Sequence, residues 1–284
     1  MSLTTEFITK YIIRLLAKLV EDYFPLRGVS TKYMRLHRIY MEFQKRIVAS
    51  RFKGIKVVDE DWDYLVILDA CRYDIFAQVN DIPGKLTKVY SLAPNTQYWL
   101  IENIKDDVEK WRDVVYISAN PFVSKTMLKK LIGIGNPFLH LEEVWNYGWD
   151  PDRLTVPPSK VMQATLRMLK RYPAKRMVIH FLQPHIPYIY GESSSSIWPP
   201  RRIKFNNLRE LRSYIRKNVK EARSAYIRSV RYVLKYVKSL ISVLKGRIVV
   251  TADHGELFGE YGFYEHPAVY IEPLLAVPWL VVEK

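Results

Sequence analysis

The sequence YLVILD, residues 64–69, is a run of five apolar side chains closed by an aspartate. A short apolar run without alternation is typical of a strand buried on both faces, as in a parallel sheet. Four further runs of this kind follow, at residues 114–117, 177–182, 248–251 and 279–282. Helical patterns lie between them, at residues 96–104, 159–171 and 206–244. This alternation predicts an α/β fold, with helices covering both faces of a mainly parallel central sheet.

The composition of the 284-residue chain is that of a folded and strongly basic protein. Hydrophobic residues make up 49% of it, and 44 Lys and Arg against 29 Asp and Glu give a net charge of +15. Such a charge favours anionic partners: nucleic acid, acidic lipid, or a phosphorylated or sulfated substrate. The single cysteine, Cys71, excludes an internal disulfide and any multi-cysteine zinc or iron–sulfur site. The scarcity of glutamine beside abundant Lys, Arg and Ile is typical of a thermophile.

Residues 1–55 are expected to form a basic helical extension beside a main α/β domain of residues 56–284. Apolar residues recur at helical spacing over residues 5–24, which predicts an amphipathic helix, and a second, basic helix follows at about 31–51. This extension either packs on the core or binds a membrane surface or nucleic acid. Charges interrupt its apolar run, so neither a transmembrane helix nor a signal peptide is predicted. A cytoplasmic or peripheral-membrane location is therefore expected.

Reactive side chains follow three of the predicted strands. Asp69 closes the first strand, His185 lies just beyond a later one, and Asp253 and His254 follow another. His266 comes twelve residues after His254, beyond a glycine-bearing loop. Ligands of open α/β sheets bind at the carboxyl ends of the strands, so we expect these side chains to share one rim. Carboxylates together with imidazole suit a divalent cation such as Zn²⁺ or Mn²⁺.

Group transfer at such a site also requires a nucleophile, and a hydroxyl is available at Thr96. This residue lies at the predicted start of a helix, where free backbone N–H groups favour an alkoxide or a bound phosphate oxygen. The alternative is that Thr96 or Asn95 is simply the N-cap of that helix. Both interpretations stay open on the residues alone.

Three segments resemble the sulfatase-like branch of the alkaline phosphatase superfamily, which includes sulfatases, lipoteichoic acid synthases and phosphoethanolamine transferases. LDACRYD at residues 68–74 resembles the strand that carries this branch's first metal ligand, and HFLQPHIPY at residues 180–188 is similar to its Pro-His-x-Pro-Tyr segment. TADHGELFGEYG at residues 251–262, followed by His266, closely resembles its closing signature. The resemblance covers about residues 60–284 and implies an alkaline-phosphatase-like fold.

The resemblance also implies a metal centre with a nucleophile beside it. A divalent ion would be held by Asp69, Asp253 and His254, with Thr96 as the fourth ligand and the nucleophile. Ser91 is the alternative nucleophile, because the interval from Asp69 to Thr96 is shorter than is usual in this branch. One ion is expected, Zn²⁺, Mn²⁺, Ca²⁺ or Mg²⁺, although a second can be accommodated.

Further residues are assigned to the substrate by the same resemblance. His185 and His266 match histidines that bind the anionic group, protonate the leaving group or hold a second ion, and Arg72 is expected to contact the substrate. Cys71 lacks the Cys-x-Pro-x-Arg context from which sulfatases make formylglycine. The implied activity is therefore a metal-dependent hydrolase or transferase acting on phosphate rather than sulfate esters, through a phospho-threonine intermediate. Its substrate would be phosphorylated or sulfated, and lipid- or glycan-linked substrates are compatible with it.

Residues 201–247 are heavily basic, and several tyrosines lie among the basic residues. This segment is either a funnel for an anionic substrate, a nucleic-acid surface, or a solvated helix face. The alternative function is thus a protein that binds nucleic acid or an anionic membrane on a catalytically inactive sulfatase-like scaffold. Of these partners nucleic acid is not favoured, and the oligomeric state is left open.

Overall fold

The computed structural model describes residues 52–284 together with Glu42, Gln44 and Arg46. The helix expected at residues 5–24, most of the one expected at 31–51, and any membrane contact they make lie outside the described residues. The three earlier positions are helical, and Gln44 is buried. Its side-chain amide donates to the carbonyl of Ala268 at 3.3 Å and accepts from the backbone N–H of Tyr270 at 3.2 Å.

A seven-stranded sheet forms the centre of the molecule, in the order β2-β11-β8-β1-β5-β3-β4. Within it β4, β3, β5, β1 and β8 pair in parallel, and β11 runs antiparallel between β8 and β2. Two small two-stranded sheets pair β6 with β7 and β9 with β10. The strand bounds are β1 Tyr64–Leu68, β2 Lys85–Tyr90, β3 Val115–Ser118, β4 His140–Glu143, β5 Met177–Phe181, β6 Tyr188–Ile189, β7 Ile197–Trp198, β8 Arg247–Thr251, β9 Leu257–Phe258, β10 Tyr264–Glu265 and β11 Ala276–Glu283.

Eight α-helices are present in the described part of the chain. Their bounds are α1 Tyr73–Val79, α2 Thr96–Ile104, α3 Lys125–Ile132, α4 Val144–Gly148, α5 Pro158–Arg171, α6 Leu208–Lys217, α7 Val219–Ile241 and α8 Glu272–Leu275. Successive side chains of a strand point to opposite faces of its sheet, so the side chains of β1 enter two different cores. Val66 and Leu68 join a core with α1, α5 and α7, whereas Leu65 and Ile67 join a core with α2 and α3. The predicted mainly parallel sheet with helices on both faces is confirmed.

The sequence missed two strands of the sheet, β2 and β4, and both lie at its edges. Edge strands are half exposed, so their sequences, KLTKVY and HLEE, lack the unbroken apolar run that marks the inner strands. The single helix expected over residues 206–244 is two helices, α6 and α7, which meet at Asn218. None of the helices in the described ranges is both long and apolar enough to cross a membrane.

Candidate active site

Two neighbouring strands of the sheet end in acidic side chains that face each other. Asp69 follows β1 directly, and Asp253 and His254 lie two and three residues beyond β8, its parallel neighbour. All three are fully buried, and one ligand atom from each lies within 4.8 Å of the other two. His254 Nε2 is 3.5 Å from Asp69 Oδ1 and 3.4 Å from Asp253 Oδ2. The strand tips therefore converge as the sequence predicted.

The turn after β1 fixes where Asp69 points. Ala70 adopts a left-handed φ of 61°, an uncommon conformation for a residue with a Cβ. Its N–H donates to Asp253 Oδ1 at 3.2 Å, and its carbonyl accepts from the Tyr226 hydroxyl at 2.7 Å. The same hydroxyl accepts from the Arg72 N–H at 2.9 Å. Tyr226, a buried residue of α7, thus ties a helix on one face of the sheet to the turn that carries Asp69.

Gly255 lets the chain turn sharply after His254. A Cβ at this position would lie 2.0 Å from the carbonyl oxygen of Pro273, so only glycine fits. The carbonyl of Gly255 lies 2.8 Å from His254 Nδ1, and this contact requires the proton of a neutral imidazole to sit on Nδ1. The Nε2 lone pair of His254 then faces the two carboxylates.

The Thr96 hydroxyl completes this cluster. It donates to Asp253 Oδ2 at 2.8 Å and lies 3.4 Å from His254 Nε2. Thr96 is the first residue of α2, but the capping bond is made by Asn95, whose side chain accepts from the N–H of Tyr98. The cap is therefore provided by the neighbouring residue, and the Thr96 side chain is directed into the site.

The hydroxyl of Ser91, the alternative nucleophile, is oriented differently. It donates to backbone carbonyls of Ala93 and Asp253 and accepts from the N–H of Ala93. These bonds stabilise the loop that leads into α2. In the part of the chain that the structure describes, the hydrogen bonds of the Ser91 hydroxyl go to backbone groups and not to the side chains of Asp69, Asp253 or His254.

Two buried polar residues of the site were not predicted. Asn120, just beyond β3, donates from its amide to Asp69 Oδ2 and lies 3.3 Å from Thr96 Oγ1. His180, within β5, has its Nε2 3.7 Å from Asp69 Oδ2 and its Nδ1 3.0 Å from the Tyr116 hydroxyl. Asn120 follows a strand tip, so the rule that identified Asp69 would also have found it. His180 lies within a buried strand, and nothing in its position sets it apart.

An outer group of side chains lies beside His254. The ring of His266 is 4.7 Å from the ring of His254 and 4.8 Å from that of His185, measured between centroids. Glu256, a third residue that the sequence did not single out, is fully buried and has Oε2 3.4 Å from His266 Nδ1. His185 and His266 are half-buried, so they form the solvent side of the cluster. This arrangement places both predicted outer histidines at the mouth of the site.

Arg72 lies behind this group and is held by fixed partners. Its guanidinium forms a bidentate ion pair with Asp74 and also contacts the carbonyl of Glu256 and the carboxylate of Glu260. Asp74 and Glu260 raise the pKa of Arg72 against the opposing effect of its burial. The N–H groups of Arg72 are thus directed to these protein groups. Its bonds to Glu256 and Glu260 stabilise the loop after β8.

Burial and mutual repulsion set the charge state of the cluster. Burial, followed by the nearby Asp253 charge, raises the pKa of Asp69 well above its usual range. Burial also acts to raise the pKa of Asp253, but His254, His180 and the Thr96 hydroxyl outweigh it and lower that pKa. Burial lowers the pKa of His185 and of His266 to about 4. The histidines are therefore neutral at pH 7, with lone pairs available to a cation.

The donor set fits a divalent cation. Two carboxylate oxygens, one imidazole nitrogen and one hydroxyl oxygen converge on one buried point, from Asp69, Asp253, His254 and Thr96. Asp69 Oδ1 has no hydrogen-bond partner in the described part of the chain, although it is buried. Unpaired buried acceptors next to a second carboxylate are costly, and a cation would remove that cost. Oxygen and imidazole ligands of this kind suit Zn²⁺ or Mn²⁺.

Comparison with solved structures identifies the class of fold. The chain is similar to the soluble domain of lipooligosaccharide phosphoethanolamine transferase A from Neisseria meningitidis, with 14% identity over 77% of this chain and 75% of that one and a TM-score of 0.51. It is also similar to the C-terminal periplasmic domain of the phosphoethanolamine transferase EptC from Campylobacter jejuni, with 13% identity over 77% of this chain and 78% of that one and a TM-score of 0.50. The chain thus has the fold of these two transferase domains, which is the kind of fold that the motifs predicted.

Sequence comparisons find no counterpart. No family model matches the chain, and no curated protein matches it significantly.

Proposed function

We propose that this protein is a metal-dependent phosphotransferase or phosphohydrolase that uses Thr96 as its nucleophile. The observation that carries the proposal is the convergence of the Thr96 hydroxyl with Asp69, Asp253 and His254 in one buried cluster. The sulfatase-like fold supports it, because the named relatives of this fold are transferases of a phosphorylated group. The cluster is held by residues from α2, β1, β3 and β8, so its geometry is set by the whole sheet.

A divalent cation bound by Asp69, Asp253, His254 and Thr96 would lower the pKa of the Thr96 hydroxyl and neutralise charge on a phosphoryl group. The protein's own groups would orient the nucleophile and the metal ligands. Asp253 orients the hydroxyl by accepting its hydrogen bond, and the amide of Asn120 fixes Asp69 beside it. Thr96 Oγ1 gives up its proton along its hydrogen bond to Asp253 and attacks phosphorus in line, which breaks the bond to the leaving oxygen and gives a phospho-threonine. Water or an acceptor alcohol later takes the phosphoryl group from Thr96.

His185 and His266 act at the leaving oxygen in this proposal. They line the solvent side of the cluster, and both are neutral in the free protein because burial depresses their pKa. An anionic phosphate bound beside them favours their protonated forms. A proton held on one of these rings would then pass to the departing alkoxide.

The position of Cys71 and the name of one relative bear on the substrate class. Cys71 is buried in the turn after Asp69, so it cannot serve as a formylglycine precursor on α2, which favours phosphate esters over sulfate esters. One relative is named for lipooligosaccharide, which supports a lipid- or glycan-linked substrate here. One metal ion satisfies the inner cluster, and His185, His266 and Glu256 lie where a second could bind.

The proposal is tested by turnover of bis(p-nitrophenyl) phosphate and p-nitrophenyl phosphate by the full chain, treated with EDTA and then reloaded with Zn²⁺ or Mn²⁺. We expect metal-dependent turnover that Thr96→Ala abolishes and that Thr96→Ser partly retains, because serine keeps the hydroxyl. Mass spectrometry of the quenched reaction should find the phosphoryl group on Thr96. Full activity of Thr96→Ala, or the absence of turnover with every metal, would refute the proposal and favour a binding protein on an inactive scaffold.

A further inference from the structure

Positive charge is concentrated in two consecutive helices, α6 and α7. Between Leu208 and Ile241 the sequence holds ten basic and two acidic residues, a net charge of +8, whereas the whole chain carries +15. About an eighth of the chain thus supplies more than half of its net charge. A concentration of this kind produces a local potential that attracts anions.

One face of α7 carries most of these charges towards solvent. Its exposed basic residues recur at helical spacing along about 22 Å of the helix axis. We call them the cationic face: Lys220, Arg223, Arg228, Arg231 and Lys235. The opposite side of α7 is buried against β6 and the helices of the same core. The face is therefore a permanent feature of the folded surface.

Few of these charges are neutralised by the protein itself. Arg223 lies 4.0 Å from Asp74, and Arg228 stacks on the Tyr190 ring at 4.3 Å. Lys220, Arg231 and Lys235 form no ion pair with any residue that the structure describes. Like charges three and four residues apart repel each other and destabilise a helix, so a bound anion would relieve this repulsion.

The cationic face contains a shallow, open depression between side chains of α7. Its volume is about 310 Å³, and it is lined by Lys220, Arg223, Ser224, Ile227, Arg228 and Arg231. The lining consists of four cationic side chains, one hydroxyl and one half-buried aliphatic side chain. This combination suits a phosphate headgroup with apolar atoms next to it.

The tyrosines of this segment distinguish between two kinds of anionic partner. Nucleic-acid surfaces combine cations with exposed aromatic rings on which bases stack. Tyr226 and Tyr232 are buried, and Tyr236 lies half-buried with its hydroxyl on Glu192. The aromatic ring beside the cationic face, that of Tyr190, is half-buried and covered by the Arg228 guanidinium. The cationic face therefore offers charge along a straight line, which suits a layer of lipid headgroups better than stacked bases.

We propose that the cationic face of α7 docks this protein on the surface of an anionic phospholipid bilayer. The docked face is connected to the candidate active site through two ion pairs. Arg223 contacts Asp74, Asp74 pairs with Arg72, and Arg72 donates to the carbonyl of Glu256 in the outer group. Docking through α7 would bring the site close to lipid-linked phosphates. The proposal does not require the enzymatic activity, so each can fail without the other.

The test is co-sedimentation of the full chain with vesicles of phosphatidylcholine alone and of equal parts phosphatidylcholine and phosphatidylglycerol. We expect binding to the anionic vesicles only, reduced on the order of tenfold or more in the double variant Lys220→Glu/Arg231→Glu. These two side chains lie outside the catalytic cluster, so turnover of soluble bis(p-nitrophenyl) phosphate should be unchanged. The matched control is Lys129→Glu/Lys130→Glu on α3, where two exposed lysines receive the same change of charge.

Three results would overturn the proposal. The first is no binding of the unaltered protein to anionic vesicles. The second is equal weakening by both double variants, which would make net charge rather than this face responsible. The third is tight binding of an RNA or DNA oligonucleotide that displaces the vesicles and is itself lost in Lys220→Glu/Arg231→Glu, because the face would then serve nucleic acid. Circular dichroism of each variant establishes that it is folded.

Discussion

Asp253 receives hydrogen bonds from two hydroxyls, from Thr96 at its carboxylate and from Ser91 at its backbone carbonyl. The two contacts separate the candidate nucleophiles, because only the Thr96 hydroxyl reaches the side chains of the buried cluster. The Ser91 hydroxyl stabilises a loop.

Ser91→Ala should therefore lower stability without removing activity. The hydroxyl is buried and accepts from the N–H of Ala93 as well as donating to two carbonyls. Its loss is expected to cost about 1–2 kcal/mol of unfolding free energy. Turnover of a phosphodiester, measured below the melting temperature, should stay within a few-fold of the unaltered enzyme. A loss of turnover as complete as that of Thr96→Ala would assign the nucleophile to Ser91 instead.

Asn120→Ala should impair catalysis more than folding. The Asn120 amide bonds Asp69 and lies beside Thr96, so it positions a ligand and the nucleophile together. Removing a residue that orients a metal ligand typically costs 10–100-fold in metal affinity or activity. Steady-state kinetics at saturating Zn²⁺ and calorimetric Zn²⁺ titration measure both effects.

The control for this variant is Asn80→Ala, because the Asn80 side chain bonds the backbone of Ile82 in the turn after α1. Asn80→Ala should leave both the turnover rate and the Zn²⁺ affinity unchanged. Equal kinetics in the two variants would show that the contacts of Asn120 do not matter to the reaction.

Tyr226→Phe should weaken metal binding, although Tyr226 is not among the proposed metal ligands. The change leaves the carbonyl of Ala70 and the N–H of Arg72 without their partner, at a cost of about 1–3 kcal/mol in unfolding free energy. Because the Ala70 turn also presents Asp69, we expect Zn²⁺ affinity to fall as well.

Tyr232→Phe provides the comparison, since the Tyr232 hydroxyl bonds Glu192, far along the chain from the metal ligands. It should cost stability and leave the affinity intact. An unchanged Zn²⁺ affinity in Tyr226→Phe would mean that the turn keeps its shape without the tyrosine hydroxyl.

The metal-free protein should lose stability as the pH falls from about 6.5 towards 4. Burial lowers the pKa of His180 from 6.5 to about 4, so in this range the unfolded chain binds a proton that the folded chain does not. The same applies to His185 and His266. Burial raises the pKa of Glu256 to about 7, and its contribution has the opposite sign, since that stability is lost as the pH rises towards 7. Asp69, whose pKa burial also raises, acts in the same sense as Glu256. Burial lowers the pKa of His254 as well, so four histidines oppose two carboxyls and the net effect is a loss of stability on acidification.

His180→Gln isolates one of these contributions. In urea unfolding with EDTA present, the loss of stability between about pH 7 and about pH 4.5 should be smaller in the variant by about 2–3 kcal/mol. Glutamine keeps polar atoms in the buried position and cannot take up a proton. Identical pH dependence in the two proteins would contradict the depressed pKa of His180.

The inner strands and their tips could be predicted because they are encoded locally. β1 is an unbroken apolar run and β8 contains one at residues 248–250, and the residues that follow each strand reach the site by continuing the chain a few positions further. The edge strands β2 and β4 could not be predicted, because most of their side chains are exposed or only partly buried and polar residues interrupt the apolar pattern.

The residues of the site likewise include some that the local sequence predicts and others that it does not. Asp69, Asp253 and His254 were expected together because each closely follows a strand, whereas Thr96 was assigned to them only by the resemblance to the sulfatase-like branch. The roles of Asn95 and Ser91 depend on which backbone groups lie within reach, and only the folded chain determines this. Tyr226 comes from the middle of α7, more than 150 residues beyond Ala70, so no local pattern could have assigned its contact with the site.

The central claim is that one divalent cation binds where Asp69, Asp253, His254 and Thr96 meet. Anomalous diffraction from crystals of the full chain soaked in Zn²⁺ or Mn²⁺, recorded at the absorption edge of the metal, tests it most directly. We expect a strong peak within bonding distance of Asp69 Oδ1, Asp253 Oδ2, His254 Nε2 and Thr96 Oγ1. A peak held elsewhere, with Asp69 and Asp253 left uncoordinated, would contradict it.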